Sequence, residues 1–221
     1  MLDPIVKGLT DVFNWIHSID PVSNYGVDII IFTVLMKLIL LPFNIIQTKS
    51  TVKTQAIQPK LKELQKKYKN DPQKMSQAQM ELYKSEGVNP FGGCLPLLIQ
   101  MPVIFAVYYV FRAFPFEGSR FLGISLGVTL NKSDPIYIGV IYAVISGLTT
   151  YLSTWLLTPK DQEPNAMTSG SMNIIMSVFF GWISWTVSGG LALYWIVNNI
   201  LQMAMQYFLN KSVANKLKQT E

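Results

Sequence analysis

Val27 to Gln47 reads VDIIIFTVLMKLILLPFNIIQ. An apolar run of about twenty residues is what a helix needs to cross a bilayer. One positive charge, Lys37, stands near its middle. An ammonium in hydrocarbon costs at least ~2.5 kcal/mol, so such a residue normally faces a protein interior or a water-filled cavity. At helical periodicity Thr33, Lys37, Asn44 and Gln47 fall on one narrow stripe, and the opposite face is Ile, Leu, Val and Phe. The stretch therefore predicts a spanning helix with a polar, cationic seam and a lipid face behind it. Pro42 lies inside the pattern and predicts a bend, which membrane helices tolerate. The alternative for Lys37 is a side chain that snorkels to the interface. Thr33 and Asn44 weigh against it, because a lipid-facing lysine needs no polar neighbours.

The rest of the chain has the same character. Of 221 residues, 50% are hydrophobic and 14% charged, and the charges cluster. Mean hydropathy is positive, at +0.29. This composition predicts an all-α polytopic membrane protein rather than a soluble core. There is one cysteine, Cys94, and one histidine, His17. No His/Cys/Asp/Glu set has metal-ligand spacing, and no phosphate loop or nucleophile motif appears. The reading is thus a protein without catalytic residues, cofactor or metal, and without direct nucleic-acid recognition.

Residues 1–22 carry Ile5, Leu9, Val12, Phe13, Ile16 and Ile19 at helical spacing, with Lys7, Asp11, Asn14 and Ser18 opposite. They lack the basic start and continuous apolar run of a cleavable signal. Two readings fit: an amphipathic helix on the membrane surface, with Trp15 and His17 near the headgroups, or a helix packed on the end of the bundle. After the first transmembrane helix (27–47), residues 48–89 form the one long polar segment, rich in lysine. Ile57, Leu61, Leu64 and Tyr68 follow coiled-coil spacing, and Met75, Ala78 and Leu82 continue it on a second arm. Asn70, Asp71 and Pro72 supply a stop, an N-cap and a first-turn proline, so a helical hairpin is expected. Gly87, Asn89, Pro90, Gly92 and Gly93 then turn the chain into a second transmembrane helix (90–112) that contains Gln100.

Residues 113–135 read as a loop in which Phe116, Phe121, Leu122 and Ile124 dip into the membrane interface. Asp134 and Pro135 begin a third transmembrane helix (136–157), with Tyr137, Tyr142, Tyr151 and Trp155 toward its ends. A polar loop (158–170) follows. The apolar stretch beyond it is too long for one crossing, and Ser188, Gly189 and Gly190 divide it into a fourth helix (171–187) and a fifth (190–209). On the fifth, Trp195, Asn199, Gln202 and Gln206 share a stripe. Residues 210–221 are a basic tail with Lys211, Lys216 and Lys218. Five crossings put the termini on opposite sides. The positive-inside rule makes the lysine-rich hairpin and the tail cytoplasmic and residues 1–22 external, in a multi-pass protein.

GVNPFGGCLPLLIQMPVIFAVYYVF (Gly87 to Phe111) closely resembles the second conserved helix of the YidC/Oxa/Alb family of membrane protein insertases, and GLALYWIVNN (Gly190 to Asn199) its last. QPKLKELQKKY and the later ELYKSEGVNP resemble its cytoplasmic hairpin. The likeness covers the whole five-helix region, and the short N-terminal segment resembles the Gram-positive type. The resemblance implies a five-helix bundle in the bacterial cytoplasmic membrane. It would enclose a hydrophilic groove open to cytoplasm and lipid. The family's groove arginine corresponds to Lys37, a departure, since arginine stays charged where a buried lysine can lose its proton. The likeness also implies Thr33 as a substrate contact and Gln100 as a groove wall, and Trp195 stands where other members have Tyr or Trp. With the helical stripes it nominates Lys37, Thr33, Asn44, Gln100, Trp195, Asn199 and Gln202 as the substrate groove.

The activity implied is insertion of client transmembrane segments, with chaperone help, and no bond is made or broken. The implied partners are client membrane proteins with short acidic translocated tails and membrane lipid. The Sec translocon and the ribosome are further candidates, although a tail with three lysines argues against a strong ribosome site. The rival reading is a small transporter or channel using Lys37. It should show an internal repeat and a polar path reaching both sides, and the sequence shows no repeat. Met167, Met172 and Met176 could offer a pliable client surface, with ordinary packing as the plainer account.

Overall fold

The computed structural model of the chain describes residues 3–88, 95–114, 116, 118–157 and 170–218. It is helical almost throughout: α1 (Asp3–Ile19), α2 (Tyr25–Ile39), α3 (Leu41–Ala56), α4 (Gln58–Lys67), α5 (Pro72–Ser85), α6 (Leu95–Ala113), α7 (Ile136–Leu157), α8 (Gly170–Thr186) and α9 (Gly189–Lys218). The turn at 89–94 and the loop at 158–169, with Met167, lie outside the described residues. So do the side chains of Lys211, Lys216 and Lys218.

The Val27–Gln47 stretch forms α2 and the start of α3, bent by 58° at Leu40. Pro42 causes the break: it has no N–H for the Leu38 carbonyl, and its ring crowds that turn. Asn24 caps α2, its side chain accepting from the Gly26 N–H. By length and composition, Ile136–Leu156 of α7 can cross a membrane on its own, while Tyr25–Ile39 and Leu41–Thr54 reach the same length and apolarity only when taken together, as a broken span or a re-entrant loop. Helix α9 is the hub, touching α2, α3, α6, α7 and α8. Helices α7 and α8 form the most extensive pair. A Cβ on Gly147 would stand 3.1 Å from the Ser177 carbonyl oxygen, and one on Gly181 would stand 3.3 Å from that of Ala143. Small residues let these backbones meet closely, as membrane helix pairs require.

Helix α1 packs against α6 and α2. Phe13 and Ile16 enter the main core, where the Phe13 ring meets Phe32, Phe111, Phe114 and Phe116 edge-on at 4.5–6.1 Å. His17 stacks on Tyr25 at 4.3 Å, and its Nδ1 lies 2.6 Å from the Asp28 carboxylate. Ile5, Trp15 and Ile19 remain exposed. The packed reading thus describes the inner face of α1, while its outer face keeps apolar groups to place at an interface. In the connection to α2, the Asp20 carboxylate accepts from the Asn24 and Val22 amides at 2.9 and 3.0 Å. These bonds hold its pKa below the usual carboxylate range.

The 113–135 segment departs from the expectation of a loop dipping into the interface. A two-stranded antiparallel ribbon, β1 (Arg120–Phe121) with β2 (Ile124–Ser125), turns at Leu122 and Gly123, both at positive φ. Phe116 and Ile124 point into the protein core with Leu126 and Leu130, while Leu122 is 77% exposed. Phe121 packs on Gly26, where a Cβ would fall within 2.5 Å of its ring. The segment forms a plug over one end of the bundle because its alternate apolar residues find partners there that the interface would only half bury.

At the other end, α4 and α5 pair. Asp71 caps α5 through the Lys74 N–H at 3.1 Å, with the Lys74 ammonium 3.0 Å away. The amide and then the ammonium hold the Asp71 carboxyl below its usual range. The buried part of the seam is at the base, where Ile57, Leu61 and Val88 cluster with Leu82 and Tyr83 and Lys60 pairs with Glu86. Leu64, Tyr68, Met75 and Ala78 are only half-buried.

Candidate functional site

Helices α2, α3, α6, α7, α8 and α9 together line a cavity of about 220 Å³, on the α4–α5 side of the bend. Lys37 comes from the last turn of α2, Asn44 and Gln47 from α3, and Gln100 from α6. Trp195, Asn198, Asn199 and Gln202 come from α9. The bend positions these groups: α2 brings Lys37 to the cavity edge, and α3 leaves at an angle that keeps Asn44 and Gln47 facing α9. Of the seven residues nominated for the groove, the structure gathers six around this cavity. Thr33 is the seventh. It is fully buried one turn before Lys37, and its hydroxyl donates to the Ile29 carbonyl of its own helix at 2.6 Å. Thr33 and Lys37 do share one face of the unbroken helix α2. Packing of α2 on its neighbours closes over Thr33, and the cavity opens only at the last turn.

Among the described residues Lys37 is the single charged side chain on the lining. It is half-buried, and its Nζ donates to the Gln202 Oε1 at 2.7 Å, across the α2–α9 contact. Among the described residues the ion pairs are His17–Asp28, Lys60–Glu86 and Lys74–Asp71, and none involves Lys37. The cation is therefore held by a neutral dipole.

The opposite wall is hydroxyl-rich. Thr150, Ser153 and Thr154 of α7 line the cavity. The Thr150 Oγ1 accepts from Trp195 Nε1 at 3.0 Å and from Asn199 Nδ2 at 2.9 Å, and the Thr149 Oγ1 lies 3.3 Å from the same amide. The Trp195 ring stacks on Phe180 of α8 at 4.5 Å. Trp195 and Asn199 are thus fixed in place by α7 and α8. Sequence reasoning missed this wall. Its signal was Ser146, Thr150, Ser153 and Thr154, an i, i+4, i+7, i+8 polar stripe in a helix otherwise read only for its aromatic ends. On the α3 side, the Thr48 hydroxyl donates to the Asn44 carbonyl at 2.8 Å and lies 3.3 Å from the Gln206 side chain, while Asn44 donates to the Leu40 carbonyl at 3.0 Å. The Gln100 Nε2, on the α6 wall, is buried against the Tyr194 hydroxyl without a well-formed hydrogen bond to any described residue. A buried donor left unpaired costs about 1–3 kcal/mol.

The cavity has neutral donors and acceptors, one cation, and apolar rims at Leu40, Phe43 and Ile104. Among the described residues no group of His, Cys, Asp and Glu could hold a metal ion. The arrangement can solvate a polar segment and attract an anion.

Residues 15–216 match the family model described as 60Kd inner membrane protein. A "Membrane protein insertase YidC" of Clostridium tetani is 41% identical over 214 residues, covering 96% of this chain and 94% of the relative. A protein of the same name from Clostridium perfringens is 42% identical over 222 residues, covering 95% and 91%. One from Geobacter sulfurreducens is 37% identical over 212 residues, 95% of this chain but 38% of that longer protein. With the match running from α1 to the end of α9, the chain belongs to the 60Kd inner membrane protein family, that of the YidC insertases.

Proposed function

We propose that this protein inserts client transmembrane segments into the cytoplasmic membrane, with the cavity around Lys37 serving as a hydrophilic groove. The observation that carries the reading is a cation on a polar wall that, among the described residues, has no carboxylate beside it. A short polar client segment would exchange water for Gln47, Gln100, Asn198 and the α7 hydroxyls rather than for hydrocarbon. This lowers the desolvation cost of crossing the inner leaflet. The Lys37 ammonium would attract acidic residues of the client's translocated tail, an interaction stronger at membrane depth than in water. The client's apolar helix would leave into lipid, driven by its own transfer free energy. In this scheme α2–α3, α6, α7, α8 and α9 are the five crossings, and the α4–α5 hairpin projects into the cytoplasm. The same groove would serve chaperoning of partly inserted helices, and the Sec translocon and the ribosome are partners to be tested.

The test is reconstitution of the purified chain in vesicles with an acidic-tailed and a neutral-tailed client, scored by protease protection of the tail. Lys37→Arg should retain insertion of both clients. Lys37→Gln and Lys37→Glu should lose the acidic-tailed client while sparing the neutral one. Equal insertion of the acidic client by Lys37→Glu and wild type would sink the electrostatic step. A failure of wild type to protect any tail would sink the insertase reading itself.

A further inference from the structure

Only two of the 18 lysines and arginines in the chain are arginines, Arg112 and Arg120, and both lie at the plugged end of the bundle. Arg112, in the last turn of α6, is exposed and borders a second cavity, of about 560 Å³. The floor of this cavity is apolar, with Phe111 and Phe116 fully packed beneath it. The rim opposite α6 carries the hydroxyl residues Thr129, Thr186 and Ser188, at the bridge that ties the loop to the α8–α9 turn. Among the described residues no carboxylate pairs with Arg112.

The surface leading to Arg112 points to what fills this space. Met101, Phe105 and Tyr108 are exposed on α6 and recur at i, i+4 and i+7, and Arg112 is the next residue on that stripe. An apolar strip running along a helix and ending on a guanidinium over a half-polar cavity matches an amphiphile whose acyl chain lies on the strip. Arginine, unlike lysine, offers a planar fork that fits a phosphate bidentately. A client carboxylate would need the cation but not the strip.

We propose that Arg112 and this cavity bind the phosphate of a membrane phospholipid, with one acyl chain along Met101, Phe105 and Tyr108. The inference rests on α6 being a membrane helix and is independent of insertase activity. The site takes the phosphodiester, so it accepts zwitterionic and anionic lipids alike. It sits at the far end of the molecule from the Lys37 cavity, so an occupant would brace the α6–loop–α9 corner without entering the groove.

The experiment is native mass spectrometry of the full chain released from detergent after incubation with phosphatidylglycerol, phosphatidylcholine or diacylglycerol. Wild type should hold both phospholipids more tightly than diacylglycerol. Arg112→Gln should weaken phospholipid retention about tenfold, the equivalent of one charge-assisted hydrogen bond. Arg112→Lys should fall between, and Lys132→Gln, an exposed charge on the same loop, should match wild type. Equal retention by Arg112→Gln and wild type would overturn the proposal, as would diacylglycerol held as well as the phospholipids. Displacement of the lipid by inorganic phosphate alone would show a plain anion site and overturn the lipid assignment. Unchanged lipid retention in Arg112→Gln, together with loss of an acidic-tailed client in vesicles, would give Arg112 to the client instead.

Discussion

Lys37 shares its proton donor capacity with a glutamine, and that choice of partner decides what the cation is free to do. The 2.7 Å bond to Gln202 orients the ammonium without neutralising it. A carboxylate at the same place would form a buried ion pair and leave nothing for an acidic client. Gln202→Glu is therefore expected to lower insertion of an acidic-tailed client to about the neutral-tailed level, while the folded protein remains as heat-resistant as wild type. Insertion assays on the purified variant, with thermal unfolding in detergent as control, check both halves. Undiminished insertion of the acidic client would mean that the charge of Lys37 is not what the client meets. Thr150 illustrates the complementary case. Its one oxygen accepts from two N–H groups, Trp195 and Asn199, so two cavity-lining residues on α9 owe their orientation to one hydroxyl on α7. Sequence periodicity could nominate the donors, because Trp195 and Asn199 interrupt an apolar helix. It overlooked the acceptor, because threonine is unremarkable in a helix and its role appears only when α7 and α9 are side by side.

At the scale of elements, the hairpin and the bend show what local sequence decides. Pro42 and the Asn70-Asp71-Pro72 signal act within one or two turns, and the structure has a 58° break at the first and an Asp71-capped helix start at the second. The ribbon at 120–125 and the plug at Leu126 and Leu130 were not legible, because their burial depends on Gly26, Gly189 and the α1 aromatics, which are distant in sequence. Thr33 was misplaced for the same reason: a stripe on one helix cannot say which part of it a neighbour will cover. The hairpin carries its own prediction. Burial is concentrated at its base around Ile57, Leu61 and Val88, and the seam toward Lys69 is half open. Amide exchange should accordingly be fast at Lys69–Gln73 and slower at Leu61–Leu64. Leu61→Ala removes the central base contact at a typical cost of about 2–5 kcal/mol. It should bring exchange throughout α4 to the rate of the tip, with α7 and α9 unchanged. Uniform protection along both arms of the wild type would contradict this distribution of stability.

The whole molecule is asymmetric along the bundle, and the asymmetry is what separates a one-sided groove from a channel. On the hairpin side of the bend the polar part of the described lining includes Asn44, Gln47, Gln100, Asn199 and Gln202 with Lys37 among them. Beyond Thr33 the space between α1, α2, α6 and α9 is filled by Phe13, Phe32, Phe111, Phe116, Leu126 and Tyr194, all at most 4% exposed. Among the described residues, aromatic rings packed edge-on at 5–6 Å fill this layer. A transporter would need that layer to part, whereas an insertase can work with it closed, because only the inner part of the path need be wetted. Single cysteines in a Cys94→Ser background can decide between them. Asn44→Cys and Gln202→Cys should react with a membrane-impermeant thiol reagent added on the hairpin side and resist the same reagent added on the other. Leu122→Cys, at the exposed ribbon turn, should show the opposite sidedness, and Lys69→Cys, at the hairpin tip, should follow Asn44→Cys. The asymmetry should persist while a client is being inserted. Labelling of Asn44→Cys from the Leu122 side, at rest or during turnover, would mean that the aromatic layer opens, and the channel reading would then replace the groove.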